Sequence, residues 1–447
     1  MDHYQIAIIG AGAAGEAAAH YARTKGASVA IVDRELFGGS CPFWACMPSK
    51  ALLHAAAVHH AGGDFPWPKA SDFRDYMINR QDTDWPDDSG HAKSLESAGA
   101  TVIRGSAHFV APGRLEVETD GGTRQLQADA VIIAVGSQPR MPDLPGLAEV
   151  DAWTNRQGTS TRDLPRSLAI LGAGPTGVEL SQVYARYGVP TTLVHPHSRI
   201  NDRDHPRSSE LLAKALERDG VSIRTGRRAE RVERGEDGAA RIVLDDGSAV
   251  EAHAILVAIG REIPLDALNL PAIGVTPKDG QLRSDGLRIA EQVYVAGDVA
   301  GPELHTHLAH YQGEMTAALA LGERVTPDLS AIPRATYTDP ETASVGLLLE
   351  QARQRGIDAV ELSQDLATTA KGYVAQAEGH VTIVVDRADR VLAGAFMTGP
   401  GVSETIHEAV LAVKARTPLA VLADTIHAFP TVARVLGSLF VKASREL

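Results

Sequence analysis

Residues 5–15 read Gln5-Ile6-Ala7-Ile8-Ile9-Gly10-Ala11-Gly12-Ala13-Ala14-Gly15, and an Ala-rich stretch follows directly. The apolar run has the length of a buried strand, and Gly10, Gly12 and Gly15 stand where a strand must turn sharply into a helix. A second strand, Ser28–Val32, ends at Asp33. Strand, glycine loop, helix and strand make a β-α-β unit. Glycines at that turn let the backbone approach a pyrophosphate, and the helix N-terminus offers it unpaired N–H groups. A carboxylate at the end of the second strand can accept hydrogen bonds from ribose hydroxyls, which assigns Asp33. The competing reading is a glycine-rich turn that holds nothing; the strand, helix and acid together oppose it.

The pattern occurs twice. Ser167–Leu171 leads into Gly172-Ala173-Gly174-Pro175-Thr176-Gly177, a helix to Arg186 and a strand at Thr191–Val194. This is an internal repeat on the scale of a domain. At the position matching Asp33 stands His195, with His197 and Arg199 just beyond. No carboxylate is present at that point to bind a 2′-hydroxyl, and His197 and Arg199 can attract a 2′-phosphate, which favours NADPH over NADH. The alternative for these side chains is a solvated loop.

Between and after the repeats, strands are expected at Arg114–Thr119, Leu126–Val135, Ile242–Leu244 and Val250–Ile259, separated by Asp-Gly turns. Past the Pro-containing stretch Thr326–Pro333 the character changes. Strands at Thr382–Asp386 and Val391–Met397 and an amphipathic helix over Glu404–Lys414 indicate a third, α+β domain. A chain of 447 residues is too long for one core, in keeping with two or three domains.

The bulk composition excludes more than it assigns. A formal charge of -13 argues against a nucleic-acid surface. No apolar run approaches the ~20 residues of a membrane span, and the start resembles no secretory signal, so the expected location is the cytoplasm. Only two cysteines occur, which is too few for a secreted disulfide scaffold. A close pair in a reducing compartment reads as redox or metal chemistry. A structural zinc site needs about four ligands, and His54, His59 and His60 nearby are better read as a helix face, so no metal is assigned.

That pair lies in Gly38-Gly39-Ser40-Cys41-Pro42-Phe43-Trp44-Ala45-Cys46-Met47-Pro48-Ser49-Lys50. Five residues of regular helix advance about 7.5 Å, whereas a disulfide needs Cα atoms roughly 4.4–6.8 Å apart. A redox pair therefore requires a break in the helix, and Pro42 and Pro48 make one plausible. A thiol near a helix N-terminus is expected to have a lowered pKa. The bland reading is two unlinked small core residues.

Gly38 to Lys50 resembles the G-G-T-C-x4-C-x-P-S-K segment of the pyridine nucleotide–disulfide oxidoreductases, a family that includes dihydrolipoamide dehydrogenase, glutathione reductase and mercuric reductase, with Ser40 in place of Thr. Ala134-Val135-Gly136-Ser137 with Pro139, Gly260-Arg261, Ala296-Gly297-Asp298 and Tyr337-Thr338-Asp339-Pro340 resemble further segments of the family. The resemblance covers nearly the whole chain. It implies an α/β protein with two Rossmann-like nucleotide-binding domains and a C-terminal α+β dimerisation domain. FAD would occupy 1–152 with 268–328, NAD(P) would occupy 153–267, and 329–447 would form a homodimer. It implies contacts to nucleotide from Gly39, Ser40, Gly136, Gly260, Arg261, Gly297 and Asp298. Cys46 would be the flavin-proximal thiol and Cys41 the interchange thiol, and Lys50 and Glu179 would pair near the flavin.

The family closes with H-x-H-P-T and a following Glu, the second His and the Glu forming an acid/base pair. Here the segment is His427-Ala428-Phe429-Pro430-Thr431-Val432-Ala433-Arg434, with Phe429 at the base position and Arg434 at the Glu position. A phenyl ring moves no proton. His427 is two residues away in an extended segment and faces the other side, so a packing role is expected for it. The expected activity is an FAD-dependent NAD(P)H oxidoreductase passing electrons through Cys41 and Cys46 to a small disulfide, a quinone or a metal ion. Phe429 also resembles the 2-ketopropyl coenzyme M oxidoreductase/carboxylase, which suggests a carboxylase or C–S cleaving alternative. A third alternative is an FAD-binding redox sensor.

Overall fold

The computed structural model describes residues 1–80, 83–301 and 303–447. The chain divides into two compact units, one of 1–51, 71–140 and 260–327, the other of 52–70, 141–259 and 328–447.

In the first unit, Asp2–Ile9 is the central parallel strand, flanked by Val29–Asp33 and Gly122–Ile133. Thr101–Arg104 extends the sheet on one side and Val293–Val295 on the other. Ser106–Ala111 and Arg114–Thr119 add an antiparallel flap. A strand covered on both faces alternates between two cores. Ile6 and Ile8 pack with Ala18, Ala22 and Ala317, while Ala7 and Ile9 pack with Val131, Phe109 and Val117. The Ala-rich composition of Ala13–Thr24 lets it lie directly on Thr306–Ala320. A Cβ at Gly313 would stand 2.2 Å from the carbonyl oxygen of Ala14.

The second unit holds three sheets. The parallel one runs Val221–Thr225, Thr191–His195, Leu168–Leu171, Ala254–Val257, Ala152–Trp153. The second repeat therefore forms the β-α-β unit expected of it, with helix Pro175–Arg186 between its first two strands. A three-stranded meander, Ala229–Arg234, Ala240–Leu244 and Ala249–Ala252, follows. The single strand expected over Val250–Ile259 is instead two, Ala249–Ala252 in the meander and Ala254–Val257 in the parallel sheet. His253 marks the crossing, where its amide donates to Ser167 Oγ at 3.1 Å and its Nδ1 lies 2.8 Å from that oxygen. Two sheets of different pairing share one chain here, and the switch needs a residue that leaves both ladders.

The C-terminal part is an antiparallel sheet in the order Arg334–Thr336, Glu341–Gly346, Val391–Gly399, His380–Asp386, Ala359–Asp365. Val402–Lys414 and Val432–Glu446 bury Ile406, Ala409, Leu436 and Phe440 against it. The architecture is thus α/β with an α+β C-terminal part, as the sequence implied.

Candidate active site

The two glycine loops repeat each other bond by bond. Gly10 N–H donates to Val32 O at 2.8 Å, and Gly172 N–H donates to Val194 O at 2.8 Å. A Cβ at Gly10 would lie 2.3 Å from Ala134 O, and one at Gly172 would lie 2.3 Å from Ala258 O. Both φ angles are positive, 103° and 104°, so glycine is required for backbone and space alike. Gly15 and Gly177 are closed in by the carbonyls of Gly10 and Gly172. Helices Ala13–Thr24 and Pro175–Arg186 begin at Gly12 and Gly174 with no side-chain cap. Neither N-cap glycine offers a side chain to the first-turn N–H groups, the condition that suits a bound phosphate. The residues fit the two nucleotides that the sequence implied.

Asp33 holds the first loop closed. Its Oδ2 accepts from Ala11 N–H at 2.7 Å and its Oδ1 from Glu35 N–H at 2.8 Å. Burial pushes its carboxyl pKa up, and those two N–H groups oppose the shift. In the second loop the same position is His195, whose Nδ1 accepts from Ala173 N–H at 3.2 Å. That lone pair is used, so the neutral ring carries its proton on Nε2. His195 is 7% exposed, and its Nε2 has no hydrogen-bond partner among the described residues. Arg199 Nη1 is likewise buried without one.

Asp202 lies across from both histidines, 3.8 Å from His195 Nε2 and 3.8 Å from His197 Nε2. The three side chains have the composition of a metal site. A metal at His195 Nε2 would need the proton on Nδ1, where it would oppose the Ala173 N–H, so the tautomer disfavours one. Sequence reading missed Asp202. It is brought back by Asn201, whose φ of 44° is a left-handed turn that Asn tolerates and whose N–H donates to Ala173 O at 2.7 Å.

In the first unit the cysteine segment lies against the first glycine loop. Gly38 N–H donates to Ala11 O at 2.8 Å, and a Cβ at Gly39, where φ is 70°, would reach Gly12 Cα at 2.7 Å. The helical turn Ser40–Trp44 carries Cys41 and is anchored by Phe43 and Trp44 in a core with Leu36 and Ile78. It ends at Ala45, φ −129° and ψ −91°, and a new helix, Cys46–His60, starts at once. The expected break is therefore at Ala45, and it brings the two thiols together.

The side chains of Cys41 and Cys46 lie against each other. The hydrogen bond to Cys46, then burial, push the Cys41 thiol well up; Thr306 opposes this. The lowered pKa expected near a helix N-terminus is thus not found at Cys41. Its neighbour's sulfur outweighs the five-residue helical turn. Thr306 Oγ1 lies 3.4 Å from Cys46 Sγ. Lys50 occupies the first turns of Cys46–His60, with Nζ 3.3 Å from Ser49 Oγ.

Three separate segments meet at Ser137. Its hydroxyl donates to Asp298 and accepts from Arg261 Nε at 2.5 Å, and Arg261 Nη2 donates to its carbonyl. Gly136, with φ 63°, precedes it, Gly260 accepts from Arg140 N–H at 3.0 Å, and Gly297 N–H donates to Gln312 at 2.9 Å.

In the second unit Glu179 is buried and accepts from Tyr337 N–H at 3.0 Å. Phe429 is 73% exposed. His427 is engaged at both ring nitrogens, Nε2 with Glu408 at 2.7 Å and Nδ1 with Thr425 O at 2.9 Å. It is a buried structural group, as its place in the sequence implied. Arg434 is the third residue of Val432–Glu446, a helix capped by Thr431 Oγ1, which accepts from Arg434 N–H at 3.0 Å.

Residues 4–313 match the model of the pyridine nucleotide-disulphide oxidoreductases and 332–439 that of their dimerisation domain. A dihydrolipoyl dehydrogenase of Halobacterium salinarum is 31% identical over 450 residues, 96% of this chain and 93% of that protein. A mercuric reductase of Streptomyces lividans is 34% identical over 458 residues, 97% of this chain and 94% of that protein. LpdA of Mycobacterium tuberculosis superposes with a TM-score of 0.87 at 26% identity, covering 100% of both chains. The copper(II) complex of the HOCl-induced flavoprotein disulfide reductase RclA of Escherichia coli shares the fold, with a TM-score of 0.88 at 24% identity over 99% of this chain and 100% of that one. Two nucleotide loops, a cysteine pair beside the first of them and matches along nearly the full length lead to one conclusion: this chain belongs to the pyridine nucleotide-disulphide oxidoreductase family and is a flavin-dependent oxidoreductase with a dimerisation domain.

Proposed function

We propose that this enzyme takes hydride from NADPH, with NADH as a second donor, and delivers the electron pair through Cys41 and Cys46 to a small acceptor. Bound FAD supplies the two-electron relay between nicotinamide and sulfur. The observation that carries the reading is the cysteine pair, held side by side on the first glycine loop with Thr306 against Cys46. Gly10, Gly12, Gly15, Asp33, Gly39, Ser40, Gly136, Gly297 and Asp298 hold the flavin nucleotide. Gly172, Gly174, Gly177, His195, His197, Arg199 and Gly260 hold the nicotinamide nucleotide. Arg261 orients Ser137 and Asp298, and Lys50 and Glu179 act near the flavin. The domain assignment is the one that the resemblance implied, 1–152 with 268–328 for flavin, 153–267 for NAD(P) and 329–447 for a homodimer. No helix among the described residues is long and apolar enough to cross a membrane; a dithiol working pair suits the cytoplasm.

After reduction, Cys46 is assigned as the sulfur that carries charge toward the flavin, and the upward push on the Cys41 thiol from Cys46 and burial favours its keeping its proton. With a disulfide acceptor, Cys41 attacks one acceptor sulfur as its proton passes to the departing first thiolate. Cys46 then attacks the Cys41 sulfur and releases the second. One thiol–thiolate pair becomes one disulfide, and the acceptor disulfide becomes one thiol and one thiolate, which takes its proton from solvent. Quinone and metal-ion acceptors use the same electron pair.

Phe429 at the base position favours a second reading, a carboxylase or C–S cleaving reaction, for which Arg434 is only a partial match. A cation at the third position of a helix opposes the macrodipole, where Glu would complete a capping box with Thr431. A phenylalanine at the base position moves no proton, which suits chemistry from which protons are excluded.

Steady-state NADPH oxidation with a panel of disulfides, quinones and metal ions tests the first reading, with Cys41→Ser as control. We expect flavin in the purified protein, turnover with at least one acceptor class, and loss of disulfide turnover in the variant while the flavin is still reduced. Purified protein that carries no flavin, or disulfide turnover unchanged by Cys41→Ser, contradicts it.

A further inference from the structure

We infer that Asp202 is a specificity-determining residue that reads the adenosine ribose of the nicotinamide nucleotide and gives NADH a foothold beside NADPH. The inference rests on the second glycine loop holding that nucleotide.

In the first repeat a carboxylate, Asp33, both closes the loop through Ala11 N–H and stands at the end of the second strand, where ribose hydroxyls are read. In the second repeat the two tasks are divided. His195 closes the loop through Ala173 N–H. This fixes its tautomer and leaves a buried Nε2–H donor without a partner among the described residues. The carboxylate comes from Asp202 instead, folded back by the left-handed turn at Asn201.

The 3.8 Å between His195 Nε2 and Asp202 Oδ1 is too long for a hydrogen bond. It is a spacing that one hydroxyl oxygen can bridge, accepting from Nε2–H and donating to the carboxylate at about 2.8 Å from each. A ribose 2′-hydroxyl has the donor and acceptor this requires. A 2′-phosphate has no proton to donate to Asp202 and meets a like charge there, offset by His197 and Arg199. His197 Nε2 is 3.8 Å from the other Asp202 oxygen, and Arg199 Nη2 donates to the Asp202 carbonyl at 3.3 Å. Asp202 is 35% exposed at its side chain, so it is not sealed off from a ligand. The site is thus built to take either nucleotide, with the carboxylate limiting the preference for NADPH.

The test uses the flavin-loaded enzyme and its isosteric variant Asp202→Asn. The rate of flavin reduction by NADH and by NADPH is measured, together with the affinities for ADP-ribose and 2′-phospho-ADP-ribose, which read the site without hydride transfer. We expect the NADPH-to-NADH ratio of kcat/KM to rise about tenfold or more, with NADH losing and NADPH gaining. The ratio of affinities for the two ADP-riboses should move in the same direction. A merely structural role would weaken both nucleotides together. Ratios that stay within twofold of wild type overturn the inference. Wild-type enzyme whose flavin is reduced by neither nucleotide overturns the hydride-donor reading instead, and the ADP-ribose ratio then still decides the role of Asp202.

Discussion

The backbone N–H of Ala173 donates to Nδ1 of His195 at 3.2 Å, in the place where the N–H of Ala11 donates to the carboxylate of Asp33 at 2.7 Å. One loop-closing bond is conserved in form between the two repeats while its acceptor changes from an anion to a neutral ring. The first loop therefore presents a carboxylate and the second a buried donor.

Asp33 closes the loop and, on the proposed reading, also binds a ribose. Asp33→Ala leaves Ala11 N–H and Glu35 N–H without acceptors, at about 1–3 kcal/mol each where they are buried. We expect FAD affinity to fall about ten- to a hundredfold, seen as a lower flavin-to-protein ratio after purification, with Asp33→Asn intermediate. Full flavin retention in Asp33→Ala would contradict the assignment.

Arg199 offers a buried Nη1 without a partner among the described residues. A charge-assisted bond to a 2′-phosphate contributes about 1.5–3 kcal/mol, so Arg199→Ala should raise KM for NADPH by roughly tenfold or more. KM for NADH should change little. Equal effects on both nucleotides would show that Arg199 does not meet the phosphate.

These contacts mark how far the sequence could be read. The glycine loops, Asp33 and the cysteine segment were legible because each signal lies within a few residues, and spacing alone sets the local geometry. The strand break at His253 was not, because both halves are equally apolar and only the sheets they join differ. Thr306 reaches Cys46 across 260 positions, and Asp202 depends on one left-handed residue. Neither has a local pattern. The pKa direction at Cys41 also escaped, since it is set by the neighbouring sulfur rather than by the helix.

A pH effect on stability is expected from His380. Burial pushes its imidazole down to about 3, and both ring nitrogens lie within hydrogen-bonding distance of hydroxyls, Ser208 at 2.9 Å and Thr382 at 2.8 Å. Between about pH 3 and 6.5 the unfolded chain binds a proton there that the folded chain does not, so stability falls as pH drops through that window and is level above it. The slope from this group is about 1.4 kcal/mol per pH unit. In urea unfolding between pH 4.5 and 7, His380→Asn should show a shallower acid limb than the parent. Parallel limbs would contradict this.

Arg434→Glu should stabilise its helix by about 0.5–1 kcal/mol, through the capping box and the dipole, and raise the thermal midpoint. Combined with Phe429→His it restores the family's acid/base pair. General acid–base groups typically contribute 10²–10⁴-fold, and we expect lipoamide or small-disulfide turnover to gain at least tenfold. A stabilised but no faster double variant would show that the acceptor pocket is unsuited to such compounds.

The central claim is that Cys46 is the sulfur facing the flavin while Cys41 keeps its proton. Anaerobic titration with NADPH, followed by absorbance, tests it most directly. At two-electron reduction the account predicts a long-wavelength band that persists in Cys41→Ser and is lost in Cys46→Ser. A band that survives Cys46→Ser, or its absence from the wild-type enzyme once NADPH has delivered its electrons, would contradict it.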